Sequence, residues 1–571
     1  MTHELRPELR PLLFSVLILG GFCVAFGQTP ADLVVLHGKV YTENPSQPRA
    51  EAVAIRAGKI IAVGAEKDIE ALRGPSTQVI DAQQHMVLPG FTDAHVHFIG
   101  GSTAMQTVAL DTADTVSEIQ KRVKSFAAAH PEKKVITGYG WMYPVFGKAA
   151  LPDKKILDAV VPDRPVILSA YDHHTTWANS KALQMAGINR TTPNPLNGAI
   201  VRDPASGEAT GALKESAGNL VERIVPAPTH KELLDALRQG LHEANRFGIV
   251  SVHSAGGDGE QVGLFDELRK SNELTVRFYF ALFAPVPDLT PAFLEQAENL
   301  RRTHHDDWLA GGAIKFYADG VIESHTAAML APYSDDPKLS GQLNWTPDKY
   351  LAAVAELDRR GFQIFTHSIG DKGIRLSLDT YEKVQRQNGT KDPRFRVEHI
   401  EDPDPADIPR FGKLGIIASM QPLHAYPNAD VLDVWARNVG PKRAQHAWPW
   451  HSIAAAGGRL AFGSDWPVVT LNPWLGIQNL LTRQTTDGKP PGGWIPQECI
   501  TLDQAIAGYT IGAAYAGKRD KTEGSLERGK LGDLIVISQN LYDVPARDVG
   551  KTEVLYTVVG GKIVYRSPAA R

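Results

Sequence analysis

Short apolar runs alternate with helical patterns through the middle of this 571-residue chain. Strand candidates are Phe91–His97, Ile249–His253, Val276–Leu282, Ala313–Tyr317, Gln363–His367, Phe395–His399, Ile416–Met420 and Leu460–Asp465. Near-continuous apolar strands are the mark of parallel sheets covered on both faces. Helical spacing fills most of the gaps; the pattern from Lys231 to Phe247, closed by Gly248, is one example. Eight strand–helix units predict an α/β fold, a (β/α)8 TIM-type barrel. Two further strands, Val135–Trp141 and Pro165–Tyr171, fall between the first and second, and predict an insertion over about residues 103–225 after barrel strand 1.

Both ends of the chain read differently. Asp32–Tyr41 suggests a strand pair, and Ala52–Gly64 a second pair around a tight Ala57-Gly58 turn. Asp533–Ile537 and Val554–Tyr565 have the same texture. The simplest arrangement is one small β-sandwich domain made from residues 28–88 and 516–571, with a barrel domain, residues 89–515, inserted into it.

Residues 1–27 form a secretory signal pattern: Arg6 and Arg10, an apolar stretch from Leu12 to Phe26, and small residues Ala25 and Gly27 before a cut at Gln28. That points to a periplasmic or secreted protein with no stable membrane span once the signal is removed. Cys499 is then the sole cysteine, which excludes an intramolecular disulfide and a cysteine metal cage. A net charge of -4 and the lack of a long basic run speak against nucleic-acid binding.

Catalytic residues of such barrels sit at the C-terminal ends of the strands. Here strand one ends in His95 and His97, two imidazoles on one face of the strand. Strand four carries Lys315, strand five ends in His367, strand six in His399 and strand eight in Asp465. Each alone has a bland reading, as a satisfied core histidine, a salt-bridge lysine or a helix-capping aspartate. Together, at consistent strand ends, they suit one or two divalent ions: zinc first, with manganese, cobalt or iron as alternatives. An ammonium is a poor ligand, so Lys315 fits such a site if it is N-carboxylated.

Several stretches resemble the amidohydrolase superfamily, and within it the amidohydrolase-3 branch of YtcJ-like proteins and N-substituted formamide deformylases. They are Leu88–His97, Ile314–Gly320, Thr366–Asp371, Arg396–His399, Gly463–Val468, Tyr171–His174 with Asn179–Leu183, and Gly524–Leu534. The resemblance implies a metal-dependent hydrolase in which His95, His97 and Asp465 hold one metal. Carboxylated Lys315 would bridge to a second, held by His367 and His399. It also implies a small-molecule substrate and a homodimer. The chain departs from the branch after Gly320: Glu323 and His325 stand where a small residue and an arginine are expected.

The implied reaction is hydrolysis of an amide-type C–N bond by metal-activated hydroxide, with Asp465 accepting the water proton and returning it to the leaving nitrogen. Substrate contacts are expected from Trp141, His173, His174, His253, Tyr317, Asp319, Glu323 and His424, with Asp319 and Asp371 also candidates to brace the ligands. Ester, lactone or phosphotriester hydrolysis on the same site is the alternative. A ring deaminase is less favoured because Gly370 stands where such sites carry glutamate. A non-catalytic binding protein is disfavoured because no ligand is missing.

Overall fold

The computed structural model describes residues 29–110, 112–147, 151–170, 175–195, 198–389 and 392–570. The signal segment, residues 1–27, lies outside them. Its central feature is an eight-stranded parallel sheet. The strands are β1 (Phe91–Val96), β2 (Ile249–Ser254), β3 (Arg277–Phe283), β4 (Leu309–Tyr317), β5 (Gln363–Ser368), β6 (Arg396–His399), β7 (Ile417–Met420) and β8 (Arg459–Phe462), each paired with the next in order. All eight predicted strands are present.

Backbone contacts just past β8 bring the sheet round to β1. Asp465 N–H donates to the His95 carbonyl at 2.7 Å, and His97 N–H to the Trp466 carbonyl at 2.9 Å. The buried Asp93 carboxylate accepts from the backbone N–H groups of Ser464 and His95 and from the Ser464 hydroxyl. The ends of the two strands that carry His95, His97 and Asp465 are thereby tied together.

Alternation sorts each strand. Phe91, Val252, Phe278, Phe280, Ile314, Ile364 and Val397 face the helices in the main apolar core. Tyr279, Ala281, Ala313 and Phe365 fill the barrel interior. The helix predicted over Lys231–Phe247 spans His230–Arg246. Its capping box, formed by Thr229 and Glu232, satisfies two backbone donors at the start, and Gly248 at φ +82° supplies the left-handed turn into β2.

Two smaller sheets are built from segments before β1 and after β8. One pairs Lys59–Gly64, Ala52–Arg56, Leu33–Leu36 and Gln78–Asp81; the other pairs Lys562–Arg566, Val554–Val559, Leu534–Ile537, Met86–Pro89, Lys39–Tyr41 and Arg49–Ala50. Both contribute to one buried cluster, with Leu33, Val53 and Ile60 from the first sheet and Val87, Leu534 and Val558 from the second. The Ala57-Gly58 turn has φ +48° and +76°, the twin left-handed geometry that a two-residue hairpin needs. The predicted pair over Asp32–Tyr41 does not form: Leu33–Leu36 and Lys39–Tyr41 enter different sheets, because the chain crosses between layers at His37-Gly38. Arg277 of β3 clamps this β-unit to the barrel through two buried hydrogen bonds to Asp533, at 2.7 and 3.0 Å.

Between β1 and β2 the chain builds its own six-stranded sheet, in the order Gly198–Arg202, Ala209–Glu215, Thr175–Ala178, Val166–Ala170, Ile136–Trp141, Val108–Ala109. The two extra predicted strands are its Ile136–Trp141 and Val166–Ala170.

Candidate active site

His95, His97, Lys315, His367, His399 and Asp465 converge at the C-terminal end of the barrel. His95 Nε2 and His97 Nε2 lie 3.5 and 3.3 Å from Asp465 Oδ1. Lys315 Nζ lies 3.3 Å from His95 Nε2. The His399 ring stands 4.8 Å from that of His95 and 4.6 Å from that of His367. Strand geometry delivers His95 and His97 directly. Asp465 (φ +60°) and His399 (φ +75°) instead sit in left-handed turns at the strand ends, which aim their side chains inward. Such turns in non-glycine residues are costly and concentrate at functional sites.

Burial sets the protonation of this group. It pushes the imidazolium form of His95 down to about 4 and that of His367 to about 3, in each case helped by the nearby Lys315. Burial, with His367 and His95 beside it, likewise holds His399 well below the usual histidine range. Burial alone would raise Asp465, but His95, His97, His399 and His424 outweigh it and keep the carboxylate ionised. Neutral imidazoles and an ionised carboxylate are the ligating forms of these side chains.

A divalent ion fits this donor set. Asp465 Oδ1 is buried and has no hydrogen-bond partner among the described residues. One atom each from His95, His97 and Asp465 lie within 4.8 Å of one another, and so do atoms from His399, His424 and Asp465. His424, read from sequence as a substrate contact, therefore stands among the potential ligands. His367 belongs to neither triad; its Nε2 engages the Gly320 carbonyl at 2.9 Å.

The remaining expected contacts divide. Tyr317 is partly exposed at the site, its ring 5.0 Å from His367 and 5.7 Å from Phe283, which in turn stacks on His97 at 6.3 Å. Glu323 is exposed on the loop after β4, within electrostatic reach of Glu401 and His424. His325 is paired with Asp335 at 2.9 Å.

Trp141 does not line the mouth. It is fully buried in the insertion, packed on Tyr143, Phe146 and Trp177, with its indole N–H donated to the Leu168 carbonyl. Nor does His253, which lies inside the barrel one layer below the site, with Nδ1 3.0 Å from the Arg396 guanidinium. Asp319 braces the scaffold instead of facing substrate, accepting from the backbone N–H groups of Ala328, Ile369 and Gly370. Asp371 similarly accepts from Leu330 N–H. His173 and His174 lie outside the described residues.

The structure adds partners that were not singled out in the sequence. Glu398 Oε2 holds His95 Nδ1 at 2.6 Å, and Arg396 grips the same carboxylate with two hydrogen bonds, at 2.8 and 2.9 Å. Gln421 Oε1 holds His399 Nδ1 at 2.8 Å. Glu401 Oε1 lies 3.4 Å from His424 Nδ1.

Residues 78–565 match the Amidohydro_3 model of the Amidohydrolase family. The chain belongs to this family, and with it to the hydrolases. Among curated relatives, it is 34% identical to Protein LONG AFTER FAR-RED 3 of Arabidopsis thaliana, over 94% of this chain and 92% of that one. It is 27% identical to N-substituted formamide deformylase of Arthrobacter pascens, over 94% and 98%. Among solved structures, an uncharacterized metal-dependent hydrolase from Pyrococcus horikoshii superposes with a TM-score of 0.72 at 22% identity, over 90% of this chain and 99% of that one. This likeness is one of fold.

Proposed function

We propose that the protein is a periplasmic or secreted metal-dependent amidohydrolase that cleaves an amide-type C–N bond in a small molecule. The observation that carries this is Asp465: an ionised, buried carboxylate with one oxygen unpartnered, flanked by His95 and His97 on one side and His399 and His424 on the other. His95, His97 and Asp465 would hold one ion, and carboxylated Lys315 with His367 and His399 would serve a second, with zinc the first candidate. When bound, the metal supplies Lewis acidity to the scissile carbonyl and to water.

The protein's own groups do the rest. Asp465 accepts a proton from the attacking water and returns it to the nitrogen as the C–N bond breaks. Phe283 and Tyr317 form an aromatic wall beside His97 and His367 that seats an apolar substituent. Gly370 cannot be replaced by a glutamate acting as a deaminase acid without rearrangement, because a Cβ there would meet the Ala328 carbonyl oxygen at 2.3 Å. No helix among the described residues is long and apolar enough to cross a membrane.

We propose that Lys315, an ammonium in the metal-free protein, becomes N-carboxylated when metal is bound. It is 1% exposed, and among the described residues no carboxylate lies within 4.0 Å to pair an ammonium there; its nearest polar partner is His95 Nε2. Reconstitution with 13C-labelled bicarbonate and metal should give a carbamate carbon resonance that is absent from the Lys315→Arg variant. Identical spectra from the two proteins would refute the modification.

The reaction itself is tested with formamides, N-acyl amino acids, dipeptides and lactones offered to the metal-loaded protein. Turnover is expected on C–N substrates, to be abolished by a chelator and restored by added metal. Hydrolysis of lactones alone, or turnover indifferent to chelation, would overturn the reading.

A further inference from the structure

We infer that His424 is itself a metal ligand, completing a triad with His399 and Asp465. The inference rests on the reading of this site as a metal centre and extends it to a residue on the turn after β7 (Pro422–Ala425), outside the eight strands.

Tautomer and direction carry the argument. His424 Nδ1 faces Glu401 Oε1 at 3.4 Å, and Nε2 faces Asp465 Oδ2 at 3.6 Å. That Nε2 is buried without a hydrogen-bond partner among the described residues. His399 shares the first half of the pattern, with Nδ1 held by Gln421 Oε1 at 2.8 Å. An oxygen acceptor at Nδ1 fixes its proton there and leaves the Nε2 lone pair free, the arrangement that orients histidines toward metals. The two rings stack almost parallel, at 4° and 5.6 Å between centroids. The nitrogen nearest Asp465 Oδ2 is Nε2 in His424, at 3.6 Å, and Nδ1 in His399, at 3.9 Å.

Glu401 is in turn anchored. Its Oε2 accepts from the Trp435 indole N–H at 2.8 Å, and its side chain is 5% exposed. A carboxylate fixed this firmly behind an imidazole with a free nitrogen is more than a surface histidine needs.

The test is cobalt binding to metal-free protein, followed by visible absorption and by bound-metal stoichiometry, for the wild type, His424→Gln and Glu401→Gln. Thermal midpoints of the metal-free forms check folding. His424→Gln should lose one equivalent of cobalt, or bind it at least about 100-fold more weakly with an altered ligand-field spectrum. Glu401→Gln should weaken binding about 10–100-fold, as loss of an orienting partner does. A folded His424→Gln protein with wild-type stoichiometry, affinity and spectrum overturns the assignment. If that variant does not fold, Glu401→Gln decides: weakened cobalt binding supports the triad, and unchanged binding refutes it. Wild-type protein that takes up no cobalt overturns both this triad and the metal-centre reading. Cobalt bound through His424 in a protein that hydrolyses no amide leaves the triad standing and overturns only the reaction.

Discussion

Replacing Asp465 with asparagine should lower kcat by about 10²–10⁴-fold, the range expected for loss of a positioned acid–base group. The substitution is chosen to isolate that role. Asp465 sits at φ +60°, and asparagine adopts this left-handed conformation as readily as aspartate. Its backbone N–H would keep its bond to the His95 carbonyl, so the tie between the ends of β1 and β8 survives. Alanine would be a poorer probe, because it adds a left-handed strain of about 1–2 kcal/mol to the loss of the carboxylate. Asparagine is also a weaker ligand, so rates must be compared at saturating metal with bound metal measured. A fully metallated Asp465→Asn protein that retains wild-type turnover would remove Asp465 from the chemistry.

The barrel was legible because its strands carry uninterrupted apolar runs, and because a period of two places His95 and His97 on one face. The partners were legible as strand-terminal residues, which a parallel barrel gathers at one end whatever their separation in sequence. What escaped was set by loops and turns. His424 lies on a short 3-10 turn with no periodic pattern to aim it, and only the fold shows that its ring lies over His399. His399 follows Glu398 on β6, and strict alternation would point the two to opposite faces. The left-handed turn at His399 and Ile400 re-aims the histidine, so that both serve the site.

Trp141 and His253 depart from the expected substrate contacts for one shared reason. Sequence marks a residue type at a strand position, but not whether that position opens to the mouth or into packing. Trp141 caps the insertion's own core, and His253 points at a guanidinium buried in the barrel. The strand pair over Asp32–Tyr41 failed because His37-Gly38 has the composition of a hairpin turn, while His37 at φ 53° serves a crossover between layers.

Glu398→Ala should strongly destabilise the barrel interior. Glu398 and Arg396 are both fully buried. Arg396 spends two donors on Glu398 and others on the Ala94 carbonyl, the Ser419 hydroxyl and His253 Nδ1, and its guanidinium lies 3.7 Å over the Phe365 ring. Deleting the carboxylate leaves that cation unneutralised in the core, a loss of about 3–5 kcal/mol. It also frees His95 Nδ1, so metal affinity should fall about 10–100-fold. Glu398→Gln retains the volume and one acceptor, which predicts a smaller stability loss but still weakened metal binding. Replacing the pair, Arg396→Met with Glu398→Leu, should restore much of the stability and none of the metal affinity, because the unpaired charge is gone while His95 remains unheld. Thermal midpoints of the metal-free proteins read the first effect and cobalt titration the second. An Glu398→Ala protein with an unshifted midpoint, or a double variant that binds cobalt as tightly as wild type, would show that this buried carboxylate neither neutralises Arg396 nor orients His95.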